Sequence, residues 1–133
     1  MAKQYDFIGV PRVYEIDRLK DLSRLITLLS LHNARKTWKG QKQKYYPAIE
    51  KEFSKYPYHL PAEEDFCRAL NTLEDWGIYL TASQNKMTEA QEKEMADVIY
   101  SKLPSESFWI KNAFGHLADV MNRAGYTFFK KEN

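Results

Sequence analysis

The sequence has one cysteine, five glycines, five prolines and no apolar run of membrane-spanning length. Each shortage excludes something. A lone Cys67 permits no intrachain disulfide, so the fold must rest on packing, and a reducing compartment suits it. With nothing nearby to lower its pKa, Cys67 reads as a small buried apolar residue rather than a nucleophile. Zinc needs clustered ligands, and the three histidines, His32, His59 and His116, are scattered. No glycine pattern matches a phosphate-cradling or dinucleotide loop, and no Gly-x-Ser-x-Gly elbow occurs. The first residues carry Lys3 and Asp6 without an apolar stretch of signal-peptide length. The expectation is a cytoplasmic protein that has no cofactor, no metal and no membrane partner, and is not an enzyme.

What is present fits one globular domain over 1–133. Apolar residues make up 44% and charged residues 29%, close to folded averages, which argues against wholesale disorder. Aromatics are abundant at 14%, nine of them Tyr, and serve either a core or an interface. The net charge of +2 is uninformative, but its distribution is not. Segment 35–59 holds seven cations against two carboxylates, a net of +5. Segment 60–100 holds three cations against nine carboxylates, a net of −6. Either segment could dock a partner, or the two could face each other.

Periodicity predicts an α+β fold, predominantly helical, with about five helices and a small sheet. Tyr5, Phe7 and Ile8, interrupted by Gly9 and Pro11, suggest short extended pieces over 5–15. Asp17 can cap a helix over 17–32, whose Leu19, Leu22, Ile26 and Leu29 share one face. Residues 33–46 have no apolar period. Pro47 suits a first turn of a helix over 46–56. Pro61, followed by Glu63, Glu64 and Asp65, opens another, in which Phe66, Leu70 and Leu73 face inward and Gly77 stops the helix. A strand over 78–81 follows. Thr88 with Gln91 is a capping box for a helix ending near Lys102. Pro104 and Ser105 start the last helix, with Phe114 and Leu117 on its inner face and His116 at its boundary. Gly125 ends it, and 126–129 form a final strand. Leu60 to Leu80 and Leu103 to Phe129 share one scheme: Leu-Pro, acidic turn, helix, Gly, aromatic strand.

Within Arg68 to Leu80, the residues Ala69, Leu70, Leu73, Glu74, Gly77 and Ile78 resemble the junction of recognition helix and wing in a winged-helix domain. The resemblance covers 17–82 and implies a helix-turn-helix arrangement followed by a wing. A DNA-reading helix is basic or polar at its N-terminus. Here that turn is Glu63, Glu64 and Asp65, which phosphates would repel. The resemblance therefore implies a protein contact, or a nucleic-acid contact through another surface.

The strongest candidate surface is the segment Arg35, Lys36, Trp38, Lys39, Lys42, Lys44, Tyr45 and Tyr46. It interleaves cations, which attract phosphates or acidic protein faces, with rings that can anchor or stack. The functional expectation is a small regulatory or inhibitory protein that acts by contact with a protein or nucleoprotein partner. The alternative is a nucleic-acid-binding module built on 35–46.

Overall fold

The computed structural model describes residues 2–32, 40–103 and 107–131, with side chains from Tyr14 onward in the first stretch and from Trp109 onward in the last. Among the described residues, five α-helices and a two-stranded sheet follow in the order α1 (Ala2–Leu31), a 3₁₀ turn (Lys42–Tyr45), α2 (Tyr46–Phe53), α3 (Glu63–Asp75), β1 (Ile78–Ala82), α4 (Glu89–Lys102), α5 (Ser107–Arg123) and β2 (Tyr126–Lys130). This is the expected α+β, mostly helical fold.

The core is a wedge of helices around α1. Leu19, Leu22, Leu25, Ile26 and Leu29 recur at helical spacing and are fully buried. They pack against α3 and α5, α4 leans on the far side of α5, and α2 bridges α3 and α5. Phe66, Leu70 and Leu73 of α3 and Phe114 and Leu117 of α5 meet them, as their periodicity predicts. Polar ties are few and specific. Thr72 Oγ1 donates to the Leu29 carbonyl at 2.7 Å, and Ser30 Oγ donates to Asp65 at 3.3 Å. The capping box forms: the Thr88 hydroxyl accepts from the Gln91 N–H, and the Gln91 side chain accepts from the Thr88 N–H.

One expectation fails at the N-terminus. The extended pieces over 5–15 are absent, and Asp17 is not a cap, because α1 is continuous from Ala2 through Gly9 and Pro11. Pro11 removes one hydrogen bond and Gly9 lowers propensity, yet adding turns to an existing helix is far easier than starting one. The buried Leu stripe further along supplies that nucleus.

The two helix–Gly–strand units join in a single sheet. Gly77 and Gly125 both lie in the left-handed region, at φ +86° and +94°, and turn the chain from α3 into β1 and from α5 into β2. The strands pair antiparallel with a symmetric register. The residue after Gly77, Ile78, opposes the last of β2, and the residue after Gly125, Tyr126, opposes the last of β1. The closing bonds repeat the symmetry: Lys131 N–H donates to the Gly77 carbonyl and Ser83 N–H to the Gly125 carbonyl. Hence the strand after α3 does not open a wing. It pairs with β2, beyond α4 and α5, and no hairpin partner follows it directly among the described residues.

The two glycines differ in their surroundings. A Cβ on Gly77 would lie 2.8 Å from the Lys131 carbonyl oxygen, a backbone atom, whereas one on Gly125 would meet only the Gln84 side chain at 3.5 Å. Gly77→Ala should therefore lose about 2 kcal/mol or more of unfolding free energy, and Gly125→Ala about 1 kcal/mol, the left-handed penalty alone. Denaturant titration of both variants checks this, and a Gly77→Ala protein as stable as wild type would contradict it.

Candidate functional site

Of the eight residues singled out in the basic–aromatic segment, Arg35, Lys36, Trp38 and Lys39 lie outside the described residues. The other four are dispersed by the 3₁₀ turn and the start of α2. Lys42 does not stand in an open loop. It is 6% exposed, and its ammonium donates to Glu74 of α3 at 3.0 Å. The 3₁₀ turn lies against α3 and directs this side chain inward. Lys44 is exposed, with its ammonium 5.1 Å from the centre of the Tyr45 ring. Tyr45 is half-buried and meets Tyr126 of β2 edge to face. The Tyr46 hydroxyl donates to the Pro61 carbonyl at 2.6 Å. Burial, and then the Glu50 and Glu63 carboxylates, push its phenol above the ordinary value. The two tyrosines are thus committed to packing.

The basic and acidic segments do not cancel. Lys42–Glu74 joins them, but Lys44 and Lys51 have no carboxylate within ion-pair distance among the described residues. Lys44, Lys51 and Lys55, on the 3₁₀ turn and the outer side of α2 and just past its end, are exposed. Arg123, at the end of α5, adds a fourth exposed cation beside α2. Lys51, Lys55 and Arg123 rim a hollow of about 350 Å³ floored by Ala48, Val120 and Ala124.

Beneath that hollow lies a buried carboxylate that the apolar period does not announce. Glu52 is 4% exposed. Its Oε1 receives Lys55 Nζ at 2.9 Å and Arg123 at 3.2 Å, and its Oε2 lies 2.8 Å from His116 Nε2. The His116 hydrogen bond, assisted by Lys55 and Arg123, outweighs desolvation and holds the Glu52 carboxyl down at about 2. Glu52 is therefore ionised and can only accept, so His116 Nε2 carries the proton and donates. His116 itself is 2% exposed, not the boundary residue that its neighbours in sequence suggest. Its Nδ1 is buried, with no hydrogen-bond partner among the described residues.

A signal for both was present. Glu52 sits between Ile49 and Phe53 on the inner stripe of α2, and His116 sits among Ala113, Leu117 and Val120 on α5. An isolated polar residue inside an apolar stripe needs a partner across the interface. Sequence alone does not say which residue that partner is. Cys67 is fully buried and reduced, and burial pushes its thiol up to about 11, in keeping with a packing role. No group of three or more metal-ligating side chains occurs among the described residues.

No family model, curated protein or solved structure matches the chain. Its chemistry is read from its own residues.

The Glu52 cluster fixes a pH dependence. Glu52 has a folded-state value of about 2 against an ordinary 4.5. A depressed carboxyl contributes stability that is present above the ordinary value and lost as pH falls through the folded one. Unfolding free energy should decline between pH 4.5 and about 2. Glu52→Gln should remove part of that decline and lose roughly 1–3 kcal/mol at neutral pH, the usual worth of hydrogen bonds to a charged group. Urea titrations of both proteins at several pH values check this. Parallel pH curves for the two would contradict the assignment.

Proposed function

We propose that this chain is a small, non-enzymatic, cytoplasmic binding protein of the regulatory or inhibitory kind, and that it docks a protein or nucleoprotein partner through the cationic face formed by the 3₁₀ turn, α2 and the end of α5. The observation that carries the reading is the lack of compensation there: Lys44 and Lys51 are exposed and face no carboxylate among the described residues. Fixed surface charge of one sign steers an acidic partner over about one Debye length, roughly 8 Å at physiological salt. The apolar floor under Lys51, Lys55 and Arg123 offers contact area once the partner arrives.

A pure nucleic-acid module is the weaker reading. Base stacking needs free aromatic faces. Tyr45 and Tyr46 are engaged with Tyr126 and Pro61. The cations remain, and cations alone serve an acidic protein face as well as they serve phosphates.

The structure changes which substitutions make a clean test. Lys42→Glu would set a buried carboxylate against Glu74, and Lys55→Glu would set an exposed carboxylate against the buried Glu52, so either would disturb the fold. The double change Lys44→Glu with Lys51→Glu touches neither pair. It should leave unfolding free energy within about 0.5 kcal/mol of wild type, as surface changes usually do. Partner affinity should fall at least about tenfold, equivalent to about 1.4 kcal/mol. The assay is affinity capture from host extract with both proteins at stepped salt, alongside retention on heparin. Loss of a captured protein at moderate salt, without marked heparin retention of wild type, supports the reading. Steep, salt-dependent heparin retention shifts it to nucleic acid. Equal capture by both proteins sinks it.

A further inference from the structure

The hollow between α2 and α5 has two kinds of lining. Its floor is apolar and built from short side chains: Ala48 of α2, Val120 of α5 and Ala124 just past its end. Its rim is cationic on both sides, with Lys51 and Lys55 from α2 and the turn after it, and Arg123 from the end of α5. The spacing explains the division. Ala48, Lys51, Glu52 and Lys55 recur at three and four along one stripe, and Val120, Arg123 and Ala124 do the same on the facing helix. Ala124 and the neighbouring Pro47 are exposed, so the hollow is open to a partner. Its volume of about 350 Å³ is near the lower end of binding pockets, which begin at about 300 Å³. Anchoring side chains of a larger partner would fill it.

The rim carries donors that the fold does not use up. Among the described residues, Glu52 is the one carboxylate in the lining, and His116, Lys55 and Arg123 already share it. Arg123 spends a single nitrogen, Nη2, on Glu52 and Asp119, each at 3.2 Å. Its other two nitrogens meet no carboxylate among the described residues. Lys55 gives Glu52 one contact from an ammonium that has three donors. Lys51 meets no carboxylate there at all. Three cations against one carboxylate leave the lining at a net +2. The buried carboxylate also fixes where two of the three cations stand. Donors held in place before binding lose less side-chain freedom when a partner arrives.

We infer that this hollow receives an acidic amphipathic helix of the partner, with an apolar side chain seated on Ala48, Val120 and Ala124 and flanking carboxylates meeting Lys51, Lys55 and Arg123. A helix suits the lining because residues three and four apart share a face, so one apolar stripe carries acids on both flanks. The cations here stand on both walls with the apolar floor between them, the complementary pattern. The inference rests on the docking face proposed above and adds the chemical form of what docks there.

Three probes are titrated into ¹⁵N-labelled full-length protein. The first is a helical peptide with a stripe of leucines flanked by glutamates. The second keeps every glutamate and replaces the leucines by alanine, which preserves charge and helix propensity. The third is oligothymidylate. Saturable amide shifts at Lys51, Lys55, Val120 and Ala124 are expected with the leucine peptide, and the alanine peptide should bind at least about tenfold more weakly. Ala124→Leu fills the hollow from an exposed position without changing charge. It should weaken the leucine peptide about tenfold and leave the alanine peptide unaffected. Ala48→Leu, which fills the hollow from the α2 side, should do the same. Lys44→Glu with Lys51→Glu should weaken both peptides. No saturable shift with the leucine peptide, equal binding of the two peptides, or full binding by both filled variants would overturn the inference. The docking face itself survives those results if the lysine double change still weakens the peptides, and fails if that change has no effect. Tighter binding of oligothymidylate at the same residues would assign the hollow to phosphates and overturn the acidic helix.

Discussion

A carboxylate taken out of water between two helices must be compensated on every side, and in this protein that requirement falls on Glu52. Desolvating such a group costs several kcal/mol, so the carboxylate is tolerated only because His116, Lys55 and Arg123 converge on it. The arrangement has consequences beyond stability. It seats α2 on α5 in one register. It draws Lys55 and Arg123, at the rim of the hollow beside Lys51, onto one carboxylate oxygen. It sets a proton on His116 Nε2, which faces the carboxylate.

Much of the scaffold was legible in the sequence because it rests on local rules. Apolar residues at three and four apart placed α3, α4 and α5, and turn chemistry placed their ends. Thr88 and Gln91 form the reciprocal cap that their spacing specifies. Gly77 and Gly125 both take the positive φ that a helix-to-strand turn requires. The two similar helix–Gly–strand segments do have a structural meaning, since their strands pair with each other in a symmetric register. That pairing is nonlocal, so the run from Arg68 to Leu80 specifies helix, glycine turn and strand but is silent about the strand's partner. The N-terminal half of α1 escaped for the opposite reason. Local breakers at Gly9 and Pro11 argued for irregular chain, but the helix is extended from a buried segment further along.

The candidate surfaces were half legible. A run of lysines is visible in any sequence, and the excess of positive charge over 35–59 does reach the surface at Lys44, Lys51 and Lys55. Which lysine turns inward depends on an acid in another helix: Lys42 meets Glu74, and no local rule joins those positions. The same holds for Glu52 with His116, and for Asp17, Asp21, Glu92 and Asp119, which α1, α4 and α5 bring around one hollow. Single-residue type and spacing describe a face of one helix. A site shared by three helices is a property of their packing.

The proton between His116 Nε2 and Glu52 is the feature on which the seating of α2 against α5 turns. Long-range ¹H–¹⁵N correlation of the histidine rings at neutral pH measures it directly. The expected spectrum for His116 shows a protonated Nε2, and Glu52→Gln perturbs that signal first. A bare, pyridine-like Nε2 would contradict it, because the ionised Glu52 carboxylate would then face an acceptor.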